Sequence, residues 1–144
     1  MILYMDTSAL TKRYINEEGS DNVIVWMRDA DLIGTALITR VELVATLTRA
    51  IRGNRLPAKE ALESLDEFRS DWPGFQHVNI DEALIARADA LASMYALRGY
   101  DAVHLACALT WKDLLDAPVT LATYDGELHD AAQKSGLDVF PLEI

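Results

Sequence analysis

Ile2-Leu3-Tyr4-Met5-Asp6-Thr7-Ser8 is the stretch that decides the fold. Four apolar residues in a row, closed by a polar break, read as a short strand buried on both faces. The Asp-Thr-Ser that follows at once can cap a helix, here expected to run to about Ile15. A strand passing directly into a capped helix is the first half of a βαβ unit, and the same arrangement recurs along the chain. Ile33–Ile38 reads as a second strand, after which Thr39 opens a helix to about Arg52, with Leu43, Leu47 and Ala50 on one stripe. His77-Val78-Asn79 reads as a short third strand ahead of Asp81, which caps a helix carrying Leu84, Ala88, Leu91 and Tyr95 on one side and closing at Gly99. Val119–Thr123 is a β-branched fourth strand ahead of Asp125, whose helix runs to Gly136, and Leu137–Leu142 reads as the last strand.

Three further helices complete the pattern. Ser20 caps one through Met27. Pro57 starts another, with Ala61, Leu65, Phe68 and Trp72 as its apolar face and Pro73-Gly74 as its stop. A third runs from Asp101 to about Leu115. Strands alternating with helices indicate the α/β class, with a central parallel sheet of about five strands and helices on both faces. No repeat, linker or low-complexity tract divides the chain, so residues 1–144 are expected to form a single domain.

Composition narrows the class. Half of the residues are hydrophobic, which excludes a disordered chain. Cys107 is the single cysteine, so no intrachain disulfide can form and a cytoplasmic, reducing setting fits. Its place in Leu105-Ala106-Cys107-Ala108-Leu109 marks a buried structural thiol. No apolar run approaches the roughly 18 residues of a membrane helix, and none reads as a secretory signal. The net charge is −10, against the basic footprint usual for nucleic-acid binding. The charge is uneven, however: residues 40–59 hold Arg40, Arg49, Arg52, Arg55 and Lys59 against Glu42, a window of net +4 that leaves −14 elsewhere. Arg40, Arg49, Arg52 and Arg55 are therefore candidates to track phosphates beside an acidic pocket.

In open α/β sheets, sites form beyond the carboxyl ends of the strands. Asp6 follows the first strand, Asp125 the fourth, Glu42 lies one turn into the helix after the second, and Asp101 begins another helix. Gathered at one sheet edge, these four carboxylates could not all stay ionised without a cation among them. Hard oxygen ligands without thiolates favour Mg²⁺ or Mn²⁺. Each acid also has a plain structural explanation: Asp6, Asp101 and Asp125 as N-caps, and Glu42 within a Thr39-Arg40-Val41-Glu42 capping box. Other chemistries lack their motifs. His77, His104 and His129 form no HExxH pair, and neither a GxSxG elbow nor a phosphate-binding GxxxxGK[ST] loop is present. His104, three residues after Asp101, could assist the acids or simply pack.

Taken together, Met5-Asp6-Thr7-Ser8-Ala9-Leu10, Glu42, Tyr100-Asp101-Ala102-Val103-His104-Leu105-Ala106 and Ala122-Thr123-Tyr124-Asp125-Gly126-Glu127-Leu128 resemble the motifs of the PIN-domain ribonucleases, in particular the VapC-type toxins of toxin–antitoxin pairs. The order and spacing extend over essentially the whole chain. The resemblance implies a PIN-like fold and a metal-dependent endoribonuclease acting on RNA. It implies that Asp6, Glu42, Asp101 and Asp125 hold one or two Mg²⁺ or Mn²⁺ ions, and that Ser8 and Thr123 are hydroxyls that orient the carboxylates. It also implies a homodimer, and a VapB-type antitoxin that places a basic side chain in the acidic pocket. Two alternatives stand beside it. A different Mg²⁺-dependent phosphatase or phosphotransfer domain would want a second acid where Ser8 stands. A non-catalytic PIN-like module would act through protein contacts, and metal titration separates it from an enzyme.

Overall fold

The computed structural model describes residues 1–144. The chain order is β1 (Ile2–Met5), α1 (Thr7–Tyr14), α2 (Ser20–Asp29), β2 (Leu32–Ala36), α3 (Thr39–Arg52), α4 (Ala58–Asp71), a 3₁₀ turn (Trp72–Gly74) and β3 (Gln76–Val78). It continues with α5 (Glu82–Tyr95), α6 (Gly99–Leu115), β4 (Thr120–Ala122), α7 (Gly126–Lys134) and β5 (Asp138–Phe140). The five strands form one sheet in the order β3-β2-β1-β4-β5, and every neighbouring pair is parallel. The chain winds outward from β1 to one edge through β2 and β3, then returns to the other side of β1 for β4 and β5. The carboxyl ends of β1 and β4 thus flank the point where the winding reverses, where an open sheet leaves a crevice.

Two cores cover the sheet, one on each face. Successive residues of a strand point to opposite faces, and β1 shows it. Leu3 and Met5 pack with Leu10, Val23, Leu43, Leu47, Phe68 and Trp72 on the α1–α4 side. Tyr4 packs on the other side with Leu84, Leu91, Leu105, Trp111 and Leu128 of α5, α6 and α7. The Leu84, Ala88 and Leu91 stripe, with Trp72 and Trp111, is therefore the core of one chain rather than apolar surface left over for a partner. The close approach of α6 to the sheet depends on Gly34 in β2, since a Cβ there would lie 2.6 Å from the Trp111 ring.

Several boundaries differ from the sequence expectation, each for a physical reason. The second strand ends at Ala36. There the Thr35 hydroxyl, bonded to the Met5 carbonyl and to Thr39 Oγ1, turns the chain into α3. Thr39 makes no capping bond, and Glu42 is no part of a capping box: its amide bonds Ile38 O and its side chain reaches elsewhere. Gly99 does not close α5. The helix ends at Ala96, which takes the left-handed conformation (φ 54°) so that the buried Leu97 can turn back into the core. Gly99 is the first residue of α6, and Asp101 lies inside that helix rather than at its cap. Asp6 and Asp125 do cap, accepting from the amides of Ala9 and Leu128.

Candidate active site

Asp6, Glu42, Asp101 and Asp125 line one cleft of about 680 Å³ at the carboxyl edge of the sheet. Each comes from a different segment. Asp6 stands between β1 and α1, Glu42 in the first turn of α3, Asp101 in the first turn of α6, and Asp125 between β4 and α7. Helix starts collect here because every crossover leaves the sheet at this edge.

Asp6 is at the bottom of the cleft and almost wholly buried. Its Oδ1 accepts from the Ala9 amide and from Ser8 Oγ at 2.7 Å, and its Oδ2 accepts from Thr123 Oγ1 at 2.7 Å. The same two hydroxyls accept from the β4–α7 loop: Ser8 from the Tyr124 amide and Thr123 from the Asp125 amide. Ser8 and Thr123 therefore tie Asp6 to the loop that carries Asp125. Burial pushes the Asp6 carboxyl above its ordinary range, only partly offset by the nearby His104 and the three hydrogen-bond donors. The loop is held from behind by Tyr124, whose hydroxyl donates to Gly19 O. Gly19 has φ +90°, and a Cβ there would meet the Tyr124 hydroxyl at 2.5 Å, so the contact requires glycine.

Glu42 is fixed on one oxygen. Its Oε1 accepts from the Thr7 hydroxyl at 2.8 Å and lies 2.9 Å from His104 Nε2. His104 is buried, with Nδ1 2.9 Å from the Tyr4 hydroxyl. Burial alone would raise the Glu42 carboxyl, but the His104 ring and the Thr7 hydroxyl outweigh it and hold the group below its ordinary value.

Asp101 and Asp125 share a partner. The Arg98 guanidinium donates from Nε to Asp101 Oδ2 at 2.8 Å and from Nη2 to Asp125 Oδ2. Arg98 is mostly exposed while the two aspartates are largely covered, so a cation supplied by the chain itself bridges two acids of the site. No three carboxylate or histidine side chains converge on a single metal-binding point. The donor set nevertheless suits a hard divalent cation: the available donors are carboxylate oxygens, Glu42 Oε2 is unengaged, and the guanidinium already marks where positive charge is stabilised.

The basic residues divide differently from the sequence expectation. Of Arg40, Arg49, Arg52 and Arg55, only Arg55 lines the cleft. Arg40 lies over the Trp72 ring, and Arg49 and Arg52 are exposed outside the cleft. The other two cations at the cleft are Lys12 and Arg98. Lys12 is held by Glu17 and the Glu18 carbonyl, above the Tyr124 ring. Sequence reasoning missed Lys12, Thr7 and Arg98. Arg98 carried one legible signal, its three-residue spacing from Asp101, which suits an ion pair in a first helical turn.

A five-stranded parallel sheet with four carboxylates at its reversal point defines an acidic-cleft α/β domain. The PIN domain profile matches residues 3–134, and the chain belongs to that family. It is similar to Ribonuclease VapC35 of Mycobacterium tuberculosis, 36% identical over 142 residues that cover 96% of this chain and 95% of the relative. Ribonuclease VapC49 of the same organism is 29% identical over 99% of this chain and 97% of its own. Among solved structures, FitAcB from Neisseria gonorrhoeae superposes with a TM-score of 0.70 at 19% identity, covering 98% of each chain. A toxin–antitoxin complex from Klebsiella pneumoniae superposes with a TM-score of 0.68 at 20% identity over the full length of both chains. These two likenesses show a shared fold.

Proposed function

We propose that this protein is an endoribonuclease of the VapC type, hydrolysing RNA phosphodiester bonds with Mg²⁺ or Mn²⁺ held by Asp6, Glu42, Asp101 and Asp125. The observation that carries the reading is that four acids from four separate segments line one cleft. Similarity to curated ribonucleases over nearly the whole chain supports the same conclusion. When bound, a divalent cation would acidify an attacking water and offset charge developing on the phosphate. The residues of the chain do the rest. Ser8 Oγ donates its hydrogen bond to Asp6, and in this reading it serves to orient that carboxylate. Thr123 does the same from beneath. Arg98 competes with a cation for Asp101 and Asp125, and when it turns away its exposed guanidinium is free to meet a substrate phosphate at the cleft mouth. Arg55 offers a second phosphate contact on the α3–α4 wall.

The acidic cleft also suits a protein inhibitor that inserts a basic side chain, because a guanidinium is already accepted between Asp101 and Asp125. We propose a VapB-type antitoxin as that partner, which co-expression of the neighbouring reading frame tests by suppression of toxicity. The deciding experiment for the enzyme is cleavage of single-stranded RNA by purified protein. Activity should require Mg²⁺ or Mn²⁺, vanish in EDTA and be lost in Asp101→Asn. Cleavage that continues unchanged in EDTA would refute the metal-dependent site.

A further inference from the structure

Between Tyr4 of β1 and Glu42 of α3 lies a histidine that the four-acid reading does not use. His104 sits one turn beyond Asp101 on α6, with only 2% of its surface exposed. Both ring nitrogens are engaged, Nδ1 at 2.9 Å from the Tyr4 hydroxyl and Nε2 at 2.9 Å from Glu42 Oε1. Each residue in this chain of contacts is an acid of the cleft or lies within three positions of one: Asp6 two residues after Tyr4, Glu42 itself, and Asp101 three residues before His104. An ionised carboxylate only accepts hydrogen bonds, so Nε2 must carry a proton to pair with Glu42. The Thr7 hydroxyl donates to the same oxygen. Both protein donors thus fall on Oε1, and Oε2 is left without a protein partner on a residue that lines the cleft.

We propose that His104 is a positioning residue: its Nε2–H, with the ring steadied by Tyr4 at Nδ1, locks Glu42 through Oε1 and thereby presents Oε2 to a divalent cation. The proposal rests on the metal-dependent reading above and adds the device that aims one of its ligands. A ligand held by a donor loses less freedom when it binds, and removing such donors typically weakens metal affinity by roughly 10–100-fold. Tyr4 contributes indirectly, because the ring can only aim Nε2 if its other nitrogen is held.

Two measurements on the full-length protein test this. First, ¹⁵N–¹H spectra of metal-free protein labelled at histidine should show His104 Nε2 protonated; a bare Nε2 overturns the proposal. Second, Mn²⁺ titration by calorimetry should show His104→Leu weakened by roughly 10-fold or more. His104→Gln, which keeps a donor near the Nε2 position, should recover much of the affinity. Tyr4→Phe, which deletes only a hydroxyl and preserves packing, should fall between His104→Leu and wild type. In cleavage assays kcat should drop while KM for RNA holds. If wild type binds Mn²⁺ and both Tyr4→Phe and His104→Leu bind it equally well while melting lower, the contacts are merely structural and the proposal is wrong. A wild type that binds no Mn²⁺ refutes the metal reading itself.

Discussion

At the residue scale the site is a set of charges balanced by different means. Asp6 is balanced least well, because hydroxyls and one amide stand in for water around a buried carboxylate whose proton affinity is raised by burial. Below the ordinary carboxylate pKa this group is neutral in both folded and unfolded states and has no effect on stability. As pH rises from there through the raised folded value, the unfolded chain loses the proton first, and stability falls. Asp6→Asn should therefore abolish cleavage yet raise the melting temperature in EDTA at neutral pH, by roughly 3 °C for a chain of this size. Asparagine can keep the cap to Ala9. A melting temperature lower than wild type at pH 7 would contradict this balance. Asp101 and Asp125 are balanced instead by Arg98, a cation on an exposed side chain whose pairing contributes little to stability. Arg98→Gln should bind Mn²⁺ a few-fold more tightly than wild type, because the metal no longer displaces a guanidinium. Weaker binding in that variant would mean that Arg98 helps rather than competes.

At the element scale, the turn between α5 and α6 decides where Asp101 points. Ala96 adopts the left-handed conformation there, which costs a side-chain-bearing residue about 1 kcal/mol. Ala96→Gly should stabilise the protein by up to that amount in urea unfolding, without changing cleavage. No gain, or a loss, would show that the alanine methyl packs better than the strain suggests. The same turn explains why α5 stops short of Gly99. Glycine after a helix is the usual stop signal, so Gly99 drew that reading, whereas burial of Leu97 forces the turn three residues earlier. Asp101 consequently moved from a cap to the cleft-facing side of a first helical turn, and Glu42 left its expected capping box for Thr7 and His104. For Glu42 a local backbone bond lost to longer-range ones, while Asp101 pairs with the side chain of Arg98 three residues before it.

At the scale of the whole molecule, the net charge of −10 coexists with a cleft lined by Lys12, Arg55 and Arg98. Three of the thirteen lysines and arginines stand at the cleft, where they can meet phosphate, and the others lie elsewhere. The homodimer expected from the family resemblance would not use the α5 stripe, which is internal. Exposed Ile85, Met94 and Tyr100, on α5 and the start of α6, remain as apolar surface. Light scattering at tens of micromolar should report twice the chain mass. A monomer at that concentration would leave these residues to some other partner.

The sequence by itself determined the α/β class, the parallel sheet, the helices on its two faces and which four acids to watch. Those features follow from local signals: apolar runs, helical periodicity, and aspartates at the ends of strands. Asp6 and Asp125, fixed by the strands just before them, were correctly read even as caps. What only the tertiary structure decided are the relations between segments far apart in the chain. It brought His104 against Glu42 across 62 positions and Thr123 against Asp6 across 117, and it put Arg98 between two acids. It also showed that Arg55, rather than Arg40, Arg49 or Arg52, lines the cleft. The reason is that hydrogen-bond partners and charge neighbours are set by how helices pack on the sheet, and packing answers to core volume that no single window of sequence contains.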